Sequence, residues 1–313
     1  MRTAIPLTVL ATALTCSFAT APAHARARVF VASYGSDSNP CTFLSPCRNF
    51  QQAVNVVDAG GEVTAIDSAG FGPINISKAV TITSPDGVEA GIVAPSGSEA
   101  INIEANSTDA IVLRGLTLDG SGVGSNGIFF LTGGSLTVTN CLMQNFVENG
   151  ILLIVASSGT PHFTISNTIV ANNSNGGIQY TVEQGSPVAN VAIDHVTAVG
   201  NSFGIMILPD NGGTVDVAVS NSVASNNKNA GILAAHGIAI TISIDNTTMN
   251  GNGIGIEGDA PASVLLSRSV IQGNTTGTNN NTSNTFYTYG NNLIDLNGNN
   301  FGGTALNTSK KLQ

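Results

Sequence analysis

Charge is scarce in this chain of 313 residues, because only 9% of its residues are charged and Trp is absent. The 10 Lys and Arg residues are scattered and the net charge is −9, which excludes the basic patch that nucleic acid binding requires. Beyond the N-terminus no apolar run approaches the ~18 residues of a membrane span. Hydrophobic residues (42%) and Gly (36 residues) are plentiful instead, a mixture that favours short strands joined by tight turns around a large core.

The N-terminus has the pattern of an export signal. A basic residue precedes an apolar run over 5–13, and a small-residue Ala-His-Ala site ends at Ala25. This pattern predicts a secretory signal peptide at 1–25 and hence a secreted or periplasmic protein. Because an exported chain meets an oxidising compartment, we expect a disulfide between Cys41 and Cys47.

Nine-residue blocks recur along the chain, and their starts are 22 to 28 residues apart. A Gly-Ile dipeptide falls between successive blocks with the same period. A repeat of this length built from short alternating strands predicts a solenoid. Leucine-rich and helical repeats are excluded because their periodic patterns are missing, which leaves an all-β, right-handed parallel β-helix with ~4.8 Å between coils. The blocks are VTNCLMQNF (138–146), ISNTIVANN (165–173), IDHVTAVGN (193–201), VSNSVASNN (219–227), IDNTTMNGN (244–252) and LSRSVIQGN (266–274).

The third position of each block usually holds Asn. Since Asn tolerates left-handed backbone angles and its amide can bond to the next coil, this column predicts a ladder of corner residues. Asp194 and His195 resemble a catalytic pair, but the pattern places them in the ladder, and neighbouring side chains at a strand end tend to point apart. The column consists of Asn140, Asn167, His195, Asn221, Asn246 and Arg268.

A solenoid also needs cover over its terminal core. Apolar residues at helical spacing predict a short capping helix over 46–58, with Ser45 as its N-cap and Gly60 at its stop. After the signal peptide, the chain is therefore divided into an N-terminal strand, loop and capping helix at 26–60 and a β-helix at 61–313. Its C-terminal end is expected to be irregular.

The run VFVASYGSDSNPCTFLSPCRNFQQAV at 29–54 resembles the opening of secreted right-handed β-helix proteins of the pectin-lyase-like superfamily. Cys41 replaces the Gly that usually follows Asn-Pro there. The segment at 60–84 resembles the first coil of the family, and with the repeats the resemblance covers most of 29–274. It implies the β-helix fold but no single activity, because this fold hosts lyases, hydrolases, epimerases, tailspikes and non-catalytic surface proteins.

The resemblance also shows which catalytic groups are missing. Lyases of this fold use Arg or Lys and a calcium cluster, whereas the later blocks hold only Lys228 and Arg268 as basic residues. The clustered Asp and Gly-His-Gly motifs of polygalacturonases are absent as well. This favours a non-catalytic protein, structural or carbohydrate-binding, and no catalytic residue is assigned. The alternative is a polysaccharide lyase or glycoside hydrolase that acts on an extracellular glycan.

Polar residues occupy outward positions on the strand that precedes each block. We expect them to bind an extracellular polysaccharide or a cation. The sequence predicts no dedicated metal site, and the one cofactor that we keep as an alternative is Ca²⁺. Two of the acids lie two coils apart, ~9–10 Å at the rise per coil, near the upper limit for an inverting hydrolase. The competing interpretation is that these residues only solvate an exposed sheet. The set consists of His162, Asn190, Asp194, Asp216 and Asp245.

A second sheet is expected to carry apolar residues at outward positions. An exposed stripe of this kind often marks an interface. Either loops such as 155–162 and 183–190 cover it, or a partner molecule binds there. The stripe consists of Phe129, Leu152, Met206 and Leu233.

Overall fold

The computed structural model of the chain describes residues 26–156, 159–185, 187–237, 239–282 and 285–308, so the predicted signal peptide at 1–25 lies outside the described residues. The chain winds into a parallel β-solenoid in which successive coils add one strand to each of three sheets. The predicted all-β parallel β-helix is therefore confirmed. No helix in the described ranges is long and apolar enough to cross a membrane.

Strands are numbered in chain order, and each sheet is given in its spatial order. Sheet 1 consists of β1 (Arg28–Val31), β2 (Gly61–Ala65), β5 (Val80–Thr83), β8 (Ala110–Arg114), β11 (Ser135–Thr139), β14 (His162–Ser166), β17 (Val188–Asp194), β20 (Thr214–Ser220), β23 (Ala239–Asp245), β26 (Ser263–Ser267) and β29 (Phe286–Thr288). Sheet 2 consists of β4 (Ile74–Ile76), β7 (Ile101–Glu104), β10 (Ile128–Thr132), β13 (Ile151–Val155), β16 (Gly176–Val182), β19 (Phe203–Leu208), β22 (Ala230–Ala234), β25 (Ile254–Asp259), β28 (Thr276–Asn281) and β31 (Asn299–Gly303). Sheet 3 consists of β3 (Ala69–Gly70), β6 (Ala90–Val93), β9 (Leu116–Asp119), β12 (Leu142–Gln144), β15 (Ile169–Ala171), β18 (Thr197–Val199), β21 (Val223–Ser225), β24 (Thr248–Asn250), β27 (Val270–Gln272) and β30 (Leu293–Ile294).

The core is built by strict alternation along the strands. In β20, Val215, Val217 and Val219 are buried, whereas Asp216 and Ala218 between them are exposed. Adjacent strands pair in register, so the buried residues of one coil lie on those of the next. The same register aligns the outward residues in rows, which positions the candidate site described below.

The predicted capping helix exists but is shorter than 46–58. It spans Phe50–Val56, and Asn49, not Ser45, is its N-cap. The prediction began too early because Cys47 is held in a bridge with β1, through its N–H to Phe30 O (2.9 Å) and its carbonyl to Ala32 N (3.0 Å). Residues held in that bridge cannot be helical.

A distant carboxylate performs the capping that Ser45 was expected to provide. The side chain of Asn49 makes no cap hydrogen bond. Instead, Asp37 Oδ1 accepts hydrogen bonds from the backbone N–H groups of Arg48 and Asn49, both at 2.9 Å. A negative charge near the first turn of a helix is favourable, because free N–H groups point toward it.

The predicted disulfide between Cys41 and Cys47 is confirmed, with 4.6 Å between their Cα atoms. The loop that it closes pairs with the outer edge of β1, where Phe30 N–H donates to Cys41 O at 2.8 Å. An uncovered edge strand would offer unpaired backbone groups to other chains. The disulfide loop therefore covers the first edge of sheet 1.

The left-handed corners predicted for this column are confirmed, since all its members have φ values between 46° and 54°, and one pair of its amides is bonded, from Asn246 Nδ2 to Asn221 Oδ1 at 2.7 Å. The sequence analysis missed a second ladder, which is buried at the corner between sheets 3 and 2. Its side-chain amides bond from coil to coil at 2.9–3.2 Å. The signal was available, because most of the blocks end in Asn. The ladder consists of Asn173, Asn201, Asn227, Asn252, Asn274 and Asn297.

Candidate ligand-binding groove

The five predicted site residues lie on sheet 1 but fall into two rows. The first row, which we call the groove row, consists of His162, Asn190, Asp216 and Thr241. The second row, the corner row, consists of Ser166, Asp194, Ser220 and Asp245. The rows are four residues apart along each strand, or ~13 Å at ~3.3 Å per residue. The structure therefore separates the predicted set into two environments.

An open groove of about 500 Å³ lies over the groove row. Ala192 and Ala218, both exposed, form a flat floor beside it. Thr164 and Ser243 continue this floor on the neighbouring coils. The lining consists of His162, Phe163, Thr164, Asn190, Val191, Ala192, Asp216, Val217, Ala218, Thr241 and Ser243.

Asp216 is the only carboxylate among the described residues that line this groove. It is exposed, and its side chain has no hydrogen-bond or ion-pair partner among the described residues. Next to it, Asn190 Nδ2 lies 3.4 Å from His162 Nδ1 in a weak contact between exposed side chains. The groove row thus presents an unpaired carboxylate and polar groups with spare hydrogen-bonding capacity.

Asp194, in the corner row, by contrast has hydrogen-bond partners on both of its carboxylate oxygens. Its Oδ1 accepts hydrogen bonds from Ser220 Oγ and Asn221 Nδ2, both at 2.7 Å. Its Oδ2 lies 2.7 Å from His195 Nδ1. These contacts, led by the one from Ser220, lower the pKa of Asp194 to about 2.

The expectation that Asp194 and His195 point apart was therefore wrong. Strict alternation of side chains holds within a strand, but His195 lies at the corner with a left-handed φ of 53°. The turn of the chain there allows its ring to meet the preceding carboxylate. The contact belongs to a chain of bonds between coils, because Asn246 Nδ2 also donates to Asn221 Oδ1 at 2.7 Å.

Asp245 is engaged in the same way. Its Oδ1 accepts hydrogen bonds from Arg268 Nε at 2.9 Å and Ser267 Oγ at 2.5 Å, and its Oδ2 contacts the Arg268 guanidinium. Arg268 is the main cause of the lowered pKa of Asp245. An inverting hydrolase needs one carboxyl that stays protonated and one that does not. The contacts of Asp194 and Asp245 lower the pKa of both carboxyls, so they favour the ionised form at both positions and leave neither carboxyl to hold the proton that such a pair needs.

The apolar stripe lies on sheet 2 in one row with Gln179, but little of it is exposed. Leu152 is 7% exposed and Met206 is 3% exposed. The Met206 methyl group lies against Gly176 of the neighbouring coil, where a Cβ atom would approach it to 2.7 Å. Phe129 and Leu233 are half-buried. The middle of the stripe is thus covered within the chain, which leaves a small surface for a partner.

Metal and thiol chemistry find little support in the described part of the chain. No group of three or more His, Cys, Asp or Glu side chains there could hold a metal ion. Cys141 is 4% exposed, and burial raises the pKa of its thiol to about 11. A buried thiol of this kind is a poor nucleophile and a poor metal ligand.

Comparisons with known proteins agree with this architecture. A family model for a right-handed beta helix region matches residues 88–215. The solved structure of pectate lyase Pel9A has a TM-score of 0.57 and 14% identity, and the match covers 85% of this chain and 72% of that chain. A rhamnogalacturonan lyase structure has a TM-score of 0.60 and 14% identity, and the match covers 78% of this chain and 74% of that chain. No curated protein sequence matches the chain.

Identity this low shows a shared fold and not a shared activity. The repeats, the three parallel sheets and these matches agree on one architecture. The chain is a parallel β-helix, and its residues 88–215 match the family model of a right-handed beta helix region.

Proposed function

We propose that the chain is a secreted, non-catalytic β-helix protein that binds an extracellular polysaccharide in the sheet 1 groove. The proposal rests on Asp216, an exposed carboxylate without an internal partner beside the flat floor of Ala192 and Ala218. A sugar ring offers hydroxyl donors at its rim and C–H groups on its faces. A free carboxylate suits the hydroxyls, and a small apolar floor suits the faces.

The repeat of the solenoid supports a polymer as the ligand. The groove row presents one polar side chain per coil, in the order His162, Asn190, Asp216 and Thr241. Coils are ~4.8 Å apart, a distance comparable to the length of a sugar ring. A glycan that runs along the row can therefore place successive units on successive coils.

The chemistry of the groove argues against catalysis. Elimination from a uronate needs a base together with a cation that neutralises the carboxylate. Hydrolysis needs two carboxyl groups on opposite sides of the bond. Among the described residues, the groove offers one carboxylate, Asp216, and one imidazole, His162, without Lys or Arg, so it supplies neither the cation for elimination nor the second carboxyl for hydrolysis. A calcium ion would need six to eight oxygen ligands, so Ca²⁺ is not part of the proposal.

Two further observations support the ligand class and the location. Both solved structures named above are polysaccharide lyases by title, which favours a polysaccharide as the ligand here. The disulfide between Cys41 and Cys47 fits an extracellular location, because cytosolic thiols are kept reduced. Together with the predicted signal peptide, it supports secretion or export to the periplasm.

The test is a panel of neutral and charged polysaccharides, scored for binding by calorimetry and for degradation by new reducing ends and unsaturated products. Asp216→Ala should weaken binding by about tenfold, because a hydrogen bond to a charged group is lost. Asp86→Ala is the matched control, since Asp86 is also exposed but lies in the turn between β5 and β6.

The two variants separate the outcomes. Equal binding by Asp216→Ala and Asp86→Ala, or no binding to any glycan, would overturn the proposal. Degradation that disappears in Asp216→Ala would instead establish the lyase or hydrolase alternative.

A further inference from the structure

We infer that this groove favours glycans that carry protonated amines, as polymers of amino sugars do, over neutral glycans and polyuronates. The inference rests on the proposed function and concerns the charge of the ligand. Its basis is the set of charged and titratable side chains that line the groove and its neighbouring corner row.

Among the described residues that line the groove, Asp216 is the one carboxylate, and His162, two coils away along the groove row (~10 Å), is the one other titratable side chain. The two acids of the corner row, Asp194 and Asp245, are satisfied by their own hydrogen bonds. Arg268, the one basic residue bonded in that row, is held by Asp245 through two nitrogen atoms. Its positive charge is thus already neutralised by the chain itself.

None of the other Lys and Arg residues in the described ranges lines the groove. Arg114 is in the corner row three coils before Asp194, through Thr139 and Ser166, or ~14 Å away at ~4.8 Å per coil. Lys228 follows β21 and precedes β22, so it lies at the corner between sheets 3 and 2. Neither residue lines the groove.

This distribution penalises an acidic ligand. A uronate unit on the central coils would place its carboxylate near Asp216, and no Lys or Arg lines the groove to compensate it. The net charge of −9 adds a longer-range repulsion of polyanions. An ammonium group at the same place would form an ion pair with Asp216. For an exposed pair, the gain is on the order of two- to fivefold in affinity, and salt reduces it.

Matched probes test the charge alone. The full chain is titrated calorimetrically with a glucosamine tetramer, its N-acetylated counterpart and a galacturonic acid tetramer, at a pH where the amines are protonated. We expect the glucosamine tetramer to bind about two- to fivefold more tightly than the N-acetylated one, and the galacturonic acid tetramer to bind more weakly than both. High salt should abolish the difference between the first two.

The variant Asp216→Asn keeps the size of the side chain and removes its charge. It should bind the two glucosamine-based tetramers equally, whereas Asp86→Asn should keep the preference. Equal binding of all three tetramers by the unaltered protein, or tightest binding of the galacturonic acid tetramer with or without Ca²⁺, would overturn the inference and leave the proposed function standing. No binding of any glycan in the wider panel would remove the proposed function itself.

Discussion

The buried Asn ladder should be a large local contributor to stability, and Asn227 tests this. Asn227 is 1% exposed. Its Oδ1 accepts hydrogen bonds from Asn201 N at 3.1 Å and Asn201 Nδ2 at 3.2 Å, and its Nδ2 donates to Asn252 Oδ1 at 2.9 Å and Ala198 O at 3.2 Å. Asn227→Ala removes all four bonds in a site that water does not reach.

The expected cost follows from the groups left unpaired. The Asn201 backbone N–H loses this acceptor, and the Asn201 and Asn252 side chains each lose one partner. A buried polar group without a partner costs about 1–3 kcal/mol, and the vacated side-chain volume adds to it. We therefore expect the free energy of unfolding to fall by about 3–5 kcal/mol.

The adjacent residue provides the control. Asn226 is exposed with a left-handed φ of 54°, and the corresponding positions of neighbouring blocks hold Gly200, Gly251 and Gly273, also with positive φ. Asn226→Gly should therefore change the free energy of unfolding by no more than about 0.5 kcal/mol. Guanidinium denaturation measures both variants, compared at equal m-values. A loss under about 1 kcal/mol for Asn227→Ala, or equal losses for the two variants, would refute the reasoning.

Two further predictions follow from the titratable groups. The pKa of Asp194 is lowered to about 2 from the ordinary 3.8, so its ionised form adds stability above pH ~4 that is lost as the pH falls toward ~2. Solvent exposure limits this term to about 0.5–1 kcal/mol, and urea denaturation across that pH range should show a flatter dependence for Asp194→Asn; an unchanged slope would contradict the assignment. Cys141, whose pKa burial raises to about 11, should react with a thiol reagent at pH ~8 only after unfolding, and a mass shift in the native protein would contradict its burial.

Stacking was predictable from the sequence because each coil must repeat the same turn. A column of Asn, interrupted by His195 and Arg268, indicated a left-handed corner, and every member has that conformation. The direct contact between His195 and Asp194 was not predictable. Alternation describes side chains within a strand, whereas the geometry of a corner depends on the local turn.

The capping helix was likewise predictable from the sequence only in part. The helical spacing of its apolar residues predicted which face is buried, and Phe50, Ala53 and Val54 are indeed buried. Its start was not, because the backbone bridge between Cys47 and β1 competes with helix formation. Asp37, which accepts hydrogen bonds at the helix start, has no local signal as a cap.

For the candidate site, the sequence selected the correct sheet but could not rank its carboxylates. The sequence pattern places Asp194, Asp216 and Asp245 alike, as acidic residues at outward positions of equivalent strands. Only the register decides which hydroxyls and amides of the next coil reach each one. It satisfies Asp194 and Asp245 and leaves Asp216 without an internal partner.

The amino-acid sequence by itself determined the period and the parallel β-helix, because these follow from local alternation and from repetition at a fixed interval. It also indicated the disulfide, because two nearby cysteines follow a predicted export signal. The tertiary structure alone decided which polar side chains are engaged between coils, how little of the apolar stripe on sheet 2 is exposed, and that the groove lies over Asp216. Those properties depend on contacts between residues 22 to 28 positions apart, whose side-chain directions are set only when the coils are stacked.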